Sequence, residues 1–217
     1  MIKKVYGSLN KDKEVLYLIN HKAANTTIVN ILLNHGFTSR ICHEVDIKKL
    51  NYIFTFVRNP YERLVSRYVH MKSFFLKGRD APKTLNIGSS ILPSLNKYFK
   101  HYNIKFCQDN FDFSRFVGFA EKFEDDHWEP QLNKFENQIS SLRYMDFIGK
   151  VENLQEDFNI LCDKIKIPQQ ELPHKNKSNH KHYAQYYDGE TFTIVTKKYA
   201  RDIEYFGYEF GKWKSSQ

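Results

Sequence analysis

Tyr52-Ile53-Phe54-Thr55-Phe56-Val57-Arg58-Asn59-Pro60-Tyr61-Glu62-Arg63-Leu64-Val65-Ser66-Arg67-Tyr68 is the stretch on which the fold turns. Its first six residues are apolar, aromatic or β-branched without alternation, the pattern of a strand covered on both faces. Arg58 ends the run. Asn59 then fits a helix cap, Pro60 the first helical position and Glu62 the acid of a first turn. Tyr61, Leu64, Val65 and Tyr68 recur at helical spacing and give that helix its buried stripe. Arg58 therefore stands at the C-terminal end of a buried strand, the edge where open α/β sheets bind ligands. Its planar fork of donors suits a phosphate. The plainer readings are a solvated strand end for Arg58 and a packing residue for Ser66.

A second unit of the same kind lies upstream. Val15-Leu16-Tyr17-Leu18-Ile19 is another continuous apolar run, followed by His21-Lys22-Ala23-Ala24-Asn25-Thr26-Thr27 and then by Ile28, Val29, Ile31, Leu32 and Leu33 up to the stop at Asn34-His35-Gly36. Strand, polar loop and helix follow in that order. Free amides at a helix start, a lysine and two hydroxyls together form an anion site. Further along, Tyr144–Val151 reads as a third strand, and helices are expected over 110–123, 152–165 and 191–205. A short helix is expected over 95–102, and long loops over 78–93 and 168–182.

The 217 residues suffice for one domain, taken as 1–217, with a sizeable core. With 41% hydrophobic residues, Phe 18 and Tyr 14, the chain is expected to be globular with an aromatic interior. The net charge of +8 favours an anionic partner. Cys42, Cys107 and Cys162 form neither a disulfide framework nor a zinc pattern, and no apolar run approaches a signal peptide or a membrane span. A cytoplasmic protein without stable membrane insertion is expected. His174, His180 and His182 lie among lysines with no carboxylate or thiol cluster to complete a site, so no metal is expected.

Four pieces of the chain resemble the carbohydrate sulfotransferases that use 3′-phosphoadenosine 5′-phosphosulfate (PAPS), most nearly the chondroitin 4-O and heparan 2-O types. They are His21–Thr27, Phe56–Ser66, His127-Trp128-Glu129-Pro130-Gln131 and Asp146–Leu154; Asn176-Lys177-Ser178 is a weaker fifth, and Phe206-Gly207-Tyr208 is similar to the family's C-terminal end. The resemblance implies an α/β fold of three layers, a P-loop-like parallel sheet flanked by helices. It also implies in-line transfer of a sulfuryl group to a carbohydrate hydroxyl, leaving the product PAP, with no metal required. By the same resemblance the loop Lys22, Ala23, Ala24, Asn25, Thr26 and Thr27 cradles the 5′-phosphosulfate, and Lys22 contacts the bridging oxygen. Arg58 and Ser66, eight residues apart as in the family, hold the 3′-phosphate. Lys177 and Ser178 join the cofactor set. His127, Trp128 and Gln131 face the acceptor. The general base is His43 or His127, with His43 favoured by its place between the first helix and the central strand. The departures are His21, where the family loop often has proline, and Leu132–Ile139, which lacks the cysteines of the chondroitin types.

The acceptor class extends from polysaccharide precursor to oligosaccharide or glycolipid, and the surplus positive charge leans toward an acidic sugar. Two other readings stay open. A phosphate-loop kinase or NTPase would want Gly-x-x-x-x-Gly-Lys-Ser/Thr, whose glycines are missing here. A nucleic-acid module would want its basic residues gathered in a stripe, and here they are spread along the chain, so no nucleic-acid partner is expected.

Overall fold

The computed structural model describes residues 1–80, 97, 100–101, 111–173 and 181–211. The expected short helix over 95–102, most of the loop over 78–93, and Lys177 and Ser178 lie outside them. The described chain falls into two compact units whose segments interleave in sequence: residues 1–59 with 129–177, and residues 60–128 with 178–212.

The first unit is built on a five-stranded sheet. Its strands are β1 (Ile2–Asn10), β2 (Val15–Leu18), β3 (Ile41–Asp46), β4 (Tyr52–Val57) and β5 (Phe147–Lys150), in the order β3-β1-β2-β4-β5. β2, β4 and β5 are parallel, with Val15 opposite Tyr52 and Phe54 opposite Phe147. The two apolar runs are thus neighbours, as expected. The parallel sheet expected is the β2-β4-β5 part; β1 runs antiparallel to both β2 and β3, so the sheet as a whole is mixed. The reason is local. Residues 11–14 join β1 to β2 in a tight turn, with Asn10 Oδ1 accepting the Lys13 N–H and Glu14 in the left-handed region at φ 54°. A connection that short can only make a hairpin.

Helix α1 (Asn25–Leu33) follows β2, and α5 (Leu154–Ile165) follows β5. Both pack on the sheet face that carries Tyr17, Phe54 and Phe56, with Ile28, Leu32, Phe158, Leu161 and Cys162 fully buried between. Helix α4 (Gln131–Ile139) packs against β1, where Gln138 accepts the Tyr6 N–H at 2.8 Å. The approach of β5 to β4 is close enough that a Cβ on Gly149 would lie 2.4 Å from the Phe56 ring.

The second unit is helical and aromatic. It contains α2 (Pro60–Asp80), α3 (Phe113–Lys122), α6 (Gly189–Lys198) and α7 (Ala200–Phe206). Tyr61, Leu64, Val65 and Tyr68, the stripe read from the sequence, are all buried here with Phe116, Phe119, Trp128, Tyr183 and Tyr199. The rings meet edge to face, Phe116 on Trp128 at 5.6 Å, the arrangement that aromatic quadrupoles prefer. Asp112 caps α3, and Asp188 with Thr191 forms a capping box on α6. The single helix expected over 191–205 is two, broken at Tyr199. Its buried hydroxyl donates to the Trp128 carbonyl, a tertiary contact with no Gly or Pro to announce it.

Candidate active site

The phosphate-loop candidate leaves β2 at its C-terminal end. Asn20, fully buried, opens it, and its carbonyl accepts the Ala23 N–H at 3.2 Å. Lys22 (φ 68°) and Ala24 (φ 56°) then both occupy the left-handed region. Neither residue is glycine, so each conformation costs about 1–2 kcal/mol. Left-handed residues placed between right-handed ones turn successive N–H groups toward one concavity, an anion nest. α1 starts at once, with Ala24 at its cap position, no side-chain cap and no acidic residue in its first turn. Its leading amides are thus left to an outside acceptor. Thr26 is exposed and Thr27 buried at this turn. Asn25 is tied inward, its Oδ1 accepting the Tyr17 hydroxyl at 2.6 Å. Burial drives that phenol's pKa up, so it remains a donor. His21 stacks on Tyr6 at 6.0 Å.

Arg58 reaches this loop: its Nη1 donates to the Lys22 carbonyl at 3.3 Å. The structure therefore joins the two stretches that the sequence analysis read separately. The main chain at Arg58 is held from the other side by Gln131, which accepts the Arg58 N–H on Oε1 (3.0 Å) and donates from Nε2 to the Arg58 carbonyl (2.9 Å). Asn20 donates to the same Oε1 at 2.7 Å and to the Phe56 carbonyl at 2.9 Å. The next amide, Asn59 N–H, donates to Glu152 Oε1 at 2.6 Å. Glu152 comes from the piece that opens on Asp146.

The remaining site residues are distributed as follows. His43 pairs with Val5 on the edge strand β3, and its Nε2 lies 2.9 Å from the Thr38 hydroxyl. Thr38 bonds Leu9 through both its backbone N–H and its hydroxyl, and Leu9 is opposite Leu16 at the start of β2. The backbone of His43 lies level with the loop end of β2, since its partner Val5 precedes Tyr6, whose carbonyl accepts the Ile19 N–H and whose ring stacks on His21. Burial, helped by the Lys11 charge, lowers the His43 pKa.

Ser66, His127 and Trp128 belong to the second unit. Ser66 is buried on α2. His127 donates to Asp125 Oδ1 twice, from Nδ1–H at 2.7 Å and from its backbone N–H at 3.0 Å. Asp125 was not singled out in the sequence; its place two residues before His127 was the available signal. Trp128 and Gln131, expected to face the acceptor, are interior residues. Trp128 is 1% exposed and its Nε1 donates to the Phe123 carbonyl; Gln131 is fully buried in the clamp on Arg58.

A parallel-stranded α/β edge with a nest-type loop, an uncapped helix start and an arginine fork is suited to binding anionic groups. The model of the sulfotransferase family matches residues 8–209, nearly the whole chain, and the protein belongs to that family. It is accordingly a transferase of sulfuryl groups. No curated protein and no solved structure matches the chain. Among the described residues no helix is long and apolar enough to cross a membrane.

Proposed function

We propose that the protein moves a sulfuryl group from PAPS to a hydroxyl of a carbohydrate acceptor, acidic by the +8 charge balance of the chain. The observation that carries this reading is the 3.3 Å contact between Arg58 Nη1 and the Lys22 carbonyl. It brings two anion-binding elements together, as a ligand with phosphates at both ends of a nucleoside demands. The donor set fits such a ligand: nest amides, the uncapped α1 start, two threonine hydroxyls and a guanidinium.

When bound, PAPS would supply the activated sulfuryl group. Thr26, Thr27 and the amides of Ala24 to Thr27 would hold the 5′-phosphate end, and Arg58 with Ser66 the 3′-phosphate. Lys177 and Ser178 remain proposed for the cofactor set. Lys22 would offer positive charge where negative charge grows on the leaving oxygen, which favours the transition state over the ground state. A base must take the acceptor's proton. Of the two histidines, orientation favours His127, whose ring Asp125 holds through Nδ1, whereas His43 Nε2 is bonded by Thr38. No step above calls on a metal ion.

The test is transfer of label from ³⁵S-PAPS to a panel of neutral and acidic oligosaccharides in EDTA, with Lys22→Ala as control. Label on at least one sugar, lost in the control, is expected. Transfer of phosphate from Mg-ATP with no sulfuryl transfer would replace this reading by the kinase one.

A further inference from the structure

Gln131 is the first residue of α4, and its side chain bonds the main chain of Arg58 and the buried amide of Asn20. Beyond Val57, β4 has lost its ladder, and the N–H and C=O of Arg58 would need new partners. One side chain satisfies both, with bonds of 3.0 and 2.9 Å, in the manner of a single rung of sheet. The same Oε1 also accepts from Asn20, which bonds the Phe56 carbonyl and begins the Lys22 loop. Gln131 and Asn20 are both fully buried. The ends of β2 and β4 are therefore locked to each other through two amides. Both strands end in the elements assigned above to phosphates.

We infer that Gln131 is a positioning residue for the 3′-phosphate fork, setting the backbone from which Arg58 projects. This rests on the reading of Arg58 given under Proposed function. An arginine fork gains from a phosphate only when its base is held, because an unfixed backbone spends the bond on ordering. A glutamine is suited to the task. It carries an acceptor and a donor at the spacing of a peptide group, and burial makes each unmade bond costly.

The experiment compares PAP with adenosine 5′-monophosphate, which lacks the 3′-phosphate, by calorimetry on the unmutated protein and on Gln131→Met, a variant of similar volume. The expected result is that the preference for PAP falls about tenfold or more, while the affinity for the monophosphate changes by less than about threefold. Where Gln131→Met does not fold, Gln131→Asn serves. It keeps an uncharged amide but is one methylene too short to bond the Arg58 N–H and C=O together, and the same direction is expected. An unchanged preference in a folded variant, or an equal weakening of both ligands, would overturn the inference and leave Arg58 as the phosphate ligand. No preference for PAP in the unmutated protein would instead overturn the reading beneath it.

Discussion

Two arginines on the same stretch, Arg58 and Arg67, meet opposite surroundings. At the end of β4, Arg58 has its backbone clamped by Gln131, the next amide bonded by Glu152, and its guanidinium laid along the Lys22 carbonyl. Nine residues on, inside the helical unit, Arg67 is fully buried, and its Nε, Nη1 and Nη2 make no hydrogen bond among the described residues. What offsets its charge is the Trp128 ring, 5.6 Å from Cζ, and the field of Asp125. Burial pushes its pKa down to about 10, still far enough above neutrality to keep the charge. The difference teaches what a ligand arginine requires. Its backbone is fixed at the end of a strand, whereas Arg67 spends its charge on an interior that gains little from it.

The largest effect that sharpens this contrast is on the base. Under one acceptor, His127→Ala should cost about 10²–10⁴ in kcat, and His43→Ala far less. A dead His43→Ala beside an active His127→Ala would reverse the assignment. Next, Lys22→Ala should lower kcat by about two to three orders of magnitude while weakening PAP only modestly, because its charge serves the leaving group. Single-turnover rates with saturating donor check this, and a pure loss of donor affinity would break it. Arg67→Met should leave the protein as stable or more stable, by about 1 kcal/mol, since a buried charge is exchanged for apolar volume. A loss above about 2 kcal/mol in chemical denaturation would reveal that the guanidinium is better partnered than the hydrogen bonds indicate.

The smallest effect concerns pH. The folded pKa of His43 lies below its ordinary value, so the unfolded chain binds the extra proton first. Stability from this group is complete above the unfolded pKa of about 6.5 and falls as pH drops from there toward the folded value. His43→Gln should flatten that part of the stability curve by under about 1 kcal/mol. An unaltered slope would show that other groups set it.

Much of the helical unit and the parallel half of the sheet was legible in the sequence. Tyr52–Val57 and Val15–Leu18 are apolar without interruption, and Pro60 marks the helix start. β1 was not legible, because Lys3, Lys4, Gly7 and Ser8 interrupt its apolar residues and its burial comes from neighbours on both sides. β3, with Glu44 and an exposed Ile41, hid for the same reason. In α4, Leu132, Phe135 and Ile139 do recur at helical spacing, but Asn133, Lys134, Glu136 and Asn137 dilute the signal. The candidate site was legible as residue types in two loops. Its assembly was not: the Arg58 bonds to Lys22 and Gln131 join positions 36 and 73 residues apart, and no local pattern encodes such a pairing. The same distance concealed that Gln131 serves the backbone.

The central claim is that the end of β4 holds a 3′-phosphate, and calorimetric titration in EDTA tests it most directly. The account predicts saturable PAP binding without a metal, tighter than adenosine 5′-monophosphate by at least about tenfold, with Arg58→Ala erasing about 2–4 kcal/mol of PAP affinity and bringing the two ligands level. Equal affinity for both ligands in the unmutated protein, or a folded Arg58→Ala protein that still prefers PAP as before, would contradict it.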